Sequence, residues 1–226
     1  MIPVLAVPTL LPGLVSGMLA SVDVPVGITI VIDNGAGVDV PGAHVIRMPA
    51  NLGVAGSWNL AMKASPRAPW WAIVNDDVTF APGDLAALAR AMDVPGPRLV
   101  TLAGFSAFGI NRDALRAVGW FDESYHPAYV EDCDYEWRCK LTDVPIIPLA
   151  CGIQHRGSAT IDHPRWGEAN TRTAPANVAY HVAKWGGAPR GGECWTVPFD
   201  GRPALYPDPD RLADLAWFDP TSETPR

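Results

Sequence analysis

Short apolar runs alternate along the chain with stretches whose apolar residues recur every three or four positions. The N-terminal "PVLAVPTL" is a strand-like segment that ends at Pro8-Thr9, and a helix-length stretch follows to about Val22. "VGITIVIDNGAG" carries Ile28, Ile30, Val31 and Ile32 straight into Asp33-Asn34-Gly35. Apolar continuity of that kind predicts a strand buried on both faces, as in a parallel sheet. "AHVIRM" predicts a shorter strand that stops at Pro49. "NLGVAGSWNLAMKAS" switches period: Val54, Trp58, Ala61 and Met62 fall on one helical face, with Asn51 and Gly53 just ahead of its start. Residues 70–74, "WWAIV", form another buried strand, and "APGDLAALARAM" sets Leu85, Leu88, Ala89 and Met92 on one helical stripe. "PRLVTLAGFSAFGI" carries more strand, and "NRDALRAVG" is a short helix capped by Asn111 and closed by Gly119.

This alternation predicts an α/β fold, a doubly wound, mostly parallel sheet with helices on both faces. The domain runs over residues 1–186. Residues 187–226 are rich in Pro, Gly and Asp, with one short helical run near "DRLADLAW". They are expected to form an irregular C-terminal extension laid on the core, with the last few residues disordered.

Composition narrows the function classes. Among 226 residues, 48% are hydrophobic and 18% charged, the balance of a folded globule. A net charge of −7 argues against a broad basic surface for nucleic acid. Cys133, Cys139, Cys151 and Cys194 form no C-x-x-C pair and no zinc spacing, so they are expected as small core thiols in a reducing cytoplasm. The apolar N-terminus lacks a basic leader, and Pro3, Pro8 and Pro12 interrupt it, so it reads as strand, turn and helix instead of a signal peptide. No run is long enough to span a membrane.

The chemistry concentrates at the ends of the strands. Ligands on such sheets bind at the carboxyl ends, where Asp33, Asp76 and Asp77 stand. Adjacent carboxylates repel, so Asn75-Asp76-Asp77 is either a solvated turn with a capping Asp or a place that a cation or ligand uses. "GWFDESYHPAYVEDCDYEWRCK" crowds Asp122, Glu123, Glu131, Asp132 and Asp134 among aromatic residues. Asp132 and Asp134 are expected in the first turn of a helix, where negative charge is favourable, with Arg138 as a salt-bridge partner. That bland arrangement accounts for one or two of the acids and poorly for all of them.

Taken in order, "VIDNGAG", "NLGVAGSWNLA", "VNDDV", "GWFDESYHPAYVEDCDYEWR" and "IQHRGSAT" resemble the family 2 glycosyltransferases of the GT-A fold, over about residues 2–186. The rhamnosyltransferase-like branch, with its F-D-E and E-D-x-D block, is the nearest in pattern. The resemblance implies that Asp33 hydrogen-bonds the base of a uracil- or thymine-type nucleotide, with Pro8 and Thr9 lining it. Where the family has a polar turn after its first strand, this chain has Leu10-Leu11-Pro12. Asn51 and Gly53 match the N-x-G at a helix entry near the nucleotide, and Asn59 matches that motif's second Asn. An Asn held inside the core has the same sequence signature.

By the same resemblance Asn75-Asp76-Asp77 stands in place of D-x-D. Asp76 lies against the donor, and Asp77 holds Mn2+ or Mg2+ against the donor diphosphate. His155, in "H-x-G-x-S", is implied as a second ligand or a phosphate donor, and Ser158 as a weaker phosphate contact. Asp132 matches the general base. Glu131 and Asp134 are implied to orient the acceptor or hold the helix. The expected partners are a nucleotide-sugar donor and an acceptor that is a protein, glycan, lipid or modified nucleic-acid base, and a homodimer is open to such a chain. Two other readings compete. A nucleotidyltransferase would want basic residues in "PTLLPGLVSGM", which has none, and a non-catalytic nucleotide-sugar binder would not need the acids.

Overall fold

The computed structural model describes residues 1–157, 163 and 166–194. Its frame is a seven-stranded sheet of β1 (Ile2–Thr9), β2 (Val26–Asp33), β3 (His44–Arg47), β4 (Trp70–Val74), β6 (Leu99–Thr101), β7 (Ala107–Asn111) and β8 (Ile146–Pro148). The spatial order is β3-β2-β1-β4-β7-β6-β8. β7 runs antiparallel to both of its neighbours, and the other pairings are parallel. A second sheet pairs β5 (Val78–Thr79) with β9 (Gln154–His155).

The strands are apolar without interruption because both faces are covered. Along β1, Val4 and Ala6 enter one core while Leu5 and Val7 enter the other. β4 divides in the same way, Trp71 and Ile73 against Trp70, Ala72 and Val74. The first core is closed by α2 (Gly53–Ala64), α4 (Arg112–Val118) and α5 (Glu131–Leu141), through Trp58, Met62, Ala114, Leu115 and Tyr135. The second is closed by α1 (Val15–Ala20) and α3 (Asp84–Met92), through Val15, Met18, Leu85 and Leu88. The α/β architecture with helices on both faces is thus as expected, with one strand reversed.

Local signals also hold at α4. The Asn111 side chain accepts from Ala114 N–H at 2.9 Å, and Gly119, at φ +88°, ends the helix. No motif in the sequence announced α6 (Gly167–Trp185), a long helix that continues through Pro175. Of the C-terminal extension, residues 187–194 are described; the short helical run near "DRLADLAW" lies outside the described residues.

Two residues assigned above to the site belong to the framework instead. Asn59 is 0% exposed. Its Nδ2 donates to the Phe121 carbonyl (2.8 Å) and to Glu123 Oε1 (2.9 Å), and its Oδ1 accepts from Phe121 N–H (3.0 Å). With both ends of the amide committed, Asn59 ties α2 to the 121–123 loop and has nothing left for a nucleotide.

Asp134, also 0% exposed, accepts from Arg138 Nε (2.8 Å) and Trp185 Nε1 (2.8 Å) and pairs with Lys184 (2.7 Å). Burial alone would push its carboxyl upward, but the Arg138 and Lys184 cations outweigh that and hold it below the usual range. Of the two roles implied for Asp134, orienting the acceptor is overturned by this burial. It holds α5 to α6, with Arg138 as the partner the sequence indicated.

Candidate active site

Parallel register brings the carboxyl ends of β1 and β2 level, Thr9 opposite Asp33, with the end of β4 beside them. A cleft of about 290 Å³ opens there, between these strand ends and the N-terminus of α5. Pro8, Thr9, Asn51, Gly53, Asp76, Asp77, Glu131, Asp132 and His155 all line it.

One wall is acidic. Asp76 Oδ2 accepts from Thr9 Oγ1 at 2.6 Å. Burial, with the adjacent Asp77 charge adding to it and the Thr9 bond opposing, pushes the Asp76 carboxyl up to about 6. Asp77 Oδ1 lies 3.2 Å from His155 Nε2, and His155 Nδ1 lies 3.3 Å from Ser106 Oγ. The small second sheet makes this encounter. Val78 pairs with His155 across β5 and β9, and Arg156 N–H donates to the Asp77 carbonyl at 3.0 Å. Residues far apart in sequence are thereby fixed side by side.

The opposite wall is the N-terminus of α5. Tyr129 (φ +77°) and Val130 (φ +78°) precede it in the left-handed region, which is strained for a β-branched residue. Asn177 of α6 holds this turn, donating to the carbonyls of Ala128 (2.7 Å) and Tyr129 (3.1 Å). Gly53 fits underneath because a Cβ there would lie 2.7 Å from the Pro127 carbonyl oxygen. Asp132 Oδ1 accepts from Cys133 N–H (2.9 Å), and its Oδ2 meets Arg190 Nη2 (2.5 Å).

Glu131 is 6% exposed, and its Oε2 has no hydrogen-bond partner. Burial first, and then the Asp132 charge, push its carboxyl up to about 8. Trp58 Nε1 is likewise buried without a partner, and its side chain lines the same cleft. Orphaned polar groups of this kind are costly unless a ligand engages them.

Glu131 makes stability depend on pH in a definite direction. The folded state holds the proton more tightly than the unfolded chain, whose Glu titrates near 4.5. Its contribution is therefore fully present below about pH 4.5 and is lost as pH rises through about 8. Glu131→Gln keeps the neutral shape at every pH. Its melting temperature should match wild type at pH 4.5 and exceed it at pH 9 by several degrees, at about 2–4 °C per kcal/mol for a chain of this size. A difference that does not change between those pH values would mean that Glu131 is ionised in the fold.

Three site expectations are changed by the structure. Asp33 was to read a base, but its Oδ1 accepts from the N–H groups of Gly35 (3.0 Å), Ala36 (2.7 Å) and Gly37 (3.2 Å), and its Oδ2 from Val38 (3.1 Å). Those bonds organise the loop after β2, and Asn34, the next residue, lines the cleft with its Nδ2 on Ser57 Oγ (2.8 Å). Asn51 and Gly53 do reach the cleft, but the N–H groups there are already committed: Leu52 to Asn34 Oδ1 (3.0 Å), Gly53 to Asn51 Oδ1 (2.9 Å) and Val54 to the Pro127 carbonyl (2.8 Å). Asn59 and Asp134 do not line the cleft, being built into the framework. Ser158 lies outside the described residues.

Sequence reasoning missed Ser106 and Asn170, which no motif marks, and assigned Trp58 to a core face alone. Asn34 had a signal, since it stands inside "VIDNGAG".

Among the described residues no group of three or more His, Cys, Asp or Glu is arranged to hold a metal ion. Asp77 and His155 nevertheless offer a carboxylate oxygen and an imidazole nitrogen at one point of the cleft. That pair is too small for a closed protein cage. The carboxylate would suit a hard ion such as Mn2+ or Mg2+ only where a phosphate-bearing ligand and water complete the shell.

Residues 31–145, just over half of the chain, match the family described as Glycosyl transferase family 2, and the matched span contains Asp76, Asp77, Glu131 and Asp132. The chain belongs to glycosyl transferase family 2. Similar solved structures include S. aureus TarS, 15% identical, with a TM-score of 0.51 over 66% of this chain and 35% of that one. S. aureus TarS 1-349 in complex with UDP is 14% identical, with a TM-score of 0.50 over 66% of this chain and 58% of that one. At such identities the likeness is one of fold, and it agrees with the GT-A-like α/β architecture. A galactofuranosyl glycosyltransferase of Leishmania donovani is 54% identical over 33 residues, 15% of this chain and 8% of that protein. The family member described here thus matches less than two thirds of the length of each of these proteins. Among its described residues no helix is long and apolar enough to cross a membrane.

Proposed function

We propose that this family 2 protein is an inverting glycosyltransferase. It moves a hexosyl or deoxyhexosyl group from a UDP- or dTDP-type sugar to an acceptor hydroxyl, with Mn2+ or Mg2+ and in the cytoplasm. A donor of the kind used by the rhamnosyltransferase-like branch fits the F-D-E and E-D-x-D pattern. The observation that carries this reading is one cleft with Asp76, Asp77 and His155 on one wall and Glu131 and Asp132 on the other.

On the first wall, Asp77 and His155 would hold the ion, and Thr9 fixes Asp76 beside them. When bound, such an ion supplies positive charge that stabilises a leaving nucleoside diphosphate. On the second wall, Asp132 takes the acceptor's proton as its oxygen attacks the anomeric carbon. Glu131, protonated for much of its population near neutral pH, offers a hydrogen bond to a hydroxyl without adding charge. The acceptor is a protein, a glycan, a lipid or a modified nucleic-acid base.

Calorimetry with UDP, TDP, GDP and CDP, each with and without Mn2+, tests the donor side. Binding is expected for UDP and TDP in the millimolar-to-micromolar range, and only with metal. Equal affinity for all four nucleotides would overturn the base preference. Metal-independent binding would overturn the role of Asp77 and His155. Because the Asp33 carboxylate is engaged by its own loop, and the Asn34 amide by Leu52 N–H and Ser57 Oγ, an observed preference would fall to Pro8 and Thr9 in this conformation.

A further inference from the structure

The chain beyond α6 folds back onto the helix that carries Asp132. Gly186, at φ +74°, ends α6 with its N–H on the Val182 carbonyl (2.8 Å). The loop that follows is closed by Gly192 N–H on the Ala188 carbonyl (2.9 Å) and by Cys194 N–H on the Trp185 carbonyl (3.0 Å). Glu193 fastens it from inside. Its carboxylate accepts from the N–H groups of Arg190 (2.5 Å) and Gly191 (3.0 Å), and it lies 3.3 Å from Nε2 of the buried His181. Arg190 is held at φ +58°, a conformation that a side-chain-bearing residue adopts only when its surroundings impose it.

The guanidinium of Arg190 lies on α5. Its Nε and Nη2 fork onto Glu136 at 2.8 and 3.2 Å, and Nη2 also reaches Asp132 Oδ2 at 2.5 Å. Asp132 and Glu136 are one helical turn apart, so a single planar cation spans both. Arg190 is 56% exposed at its side chain, and exposed ion pairs contribute little to stability. Orientation is what the contact supplies. With Oδ1 on Cys133 N–H and Oδ2 on Arg190, the Asp132 carboxylate cannot turn about its last bond. Each oxygen still keeps a lone pair, and the side chain still lines the cleft.

We propose that Arg190 is a positioning residue that holds the Asp132 carboxylate in the orientation from which it takes a proton. This rests on the reading of Asp132 as general base. It brings the loop at 186–194 into the active site although that loop lies beyond the family match.

The test needs no knowledge of the natural acceptor, because water serves as one. Release of nucleoside diphosphate from UDP-glucose, UDP-galactose and dTDP-rhamnose, with Mn2+ present, is measured for wild type, Arg190→Ala, Arg190→Lys and Asp132→Asn. Arg190→Ala should lower kcat by up to about 10²-fold with KM for the donor unchanged, the size of loss that misplacement of a reacting group produces. Arg190→Lys should recover only part of it, since an ammonium cannot reproduce the fork. Guanidinium ion at millimolar concentration should restore turnover to Arg190→Ala and do nothing for Asp132→Asn. The melting temperature of Arg190→Ala should stay within about 2 °C of wild type.

Undiminished or increased kcat in Arg190→Ala, with Asp132→Asn inactive, would overturn the positioning role and leave the base assignment standing. Equal turnover in wild type and Asp132→Asn would instead overturn the base, and the role of Arg190 with it.

Discussion

Asp132→Asn should lose turnover by about 10²–10⁴-fold, the usual worth of a general base, while nucleoside diphosphate binds with near wild-type affinity. An acceptor hydroxyl has a very high pKa and must shed its proton as the new bond forms. An amide of the same shape cannot take that proton. The substitution leaves the opposite wall of the cleft untouched, where Asp76, Asp77 and His155 stand, so the donor side should not sense it. The product formed by wild type should be the anomer opposite to the donor linkage, because a single displacement inverts the centre. A retained anomer would contradict that mechanism. Undiminished turnover in Asp132→Asn would pass the base role to Glu131, since Asp134 is 0% exposed and its oxygens are committed to Arg138, Lys184 and Trp185.

Asp77→Ala should abolish the Mn2+-dependent part of nucleoside diphosphate binding and reduce transfer by more than about 10³-fold, as expected when several kcal/mol of charge stabilisation disappears. The fold should survive. Asp77 stands just beyond the end of β4, and its backbone carbonyl keeps its bond from Arg156 whatever the side chain. Removing one of two adjacent carboxylates also relieves repulsion with Asp76, so the metal-free variant should melt at or above the wild-type temperature. Calorimetry and thermal melting on the same sample separate the two roles. A melting temperature far below wild type would show Asp77 to be a structural cap, and retained metal-dependent binding would remove it from the ion site.

These variants divide along the same line as the sequence reading. The motif positions that line the cleft stand at strand ends or helix starts, where a local pattern already says the backbone emerges from the core. Thr9, Asp76, Asp77, Glu131 and Asp132 are of that kind. Asn59 and Asp134 come from the same motifs but face inward, and whether a helical Asn or Asp meets solvent or another helix is not written in its neighbours. Asp33 fails for a different reason. Its partners are the N–H groups of the next few residues, and a loop that closes on its own carboxylate looks in sequence like one that leaves it free.

By itself the sequence determined the layered α/β frame, the strand ends that carry acids, and the cap and stop of α4. Each depends on periodicity or on contacts within a few residues: unbroken apolar runs must be covered on both faces, and Asn111 and Gly119 act on their own turn. Only the tertiary structure decided that β7 runs against its neighbours, that β9 sets His155 beside Asp77, that Glu131 is left buried with its Oε2 unpaired, and that Arg190 reaches back to Asp132. Those outcomes depend on which surfaces meet across tens of residues. Side-chain burial and charge pairing take their energies from that meeting, and no local pattern carries them.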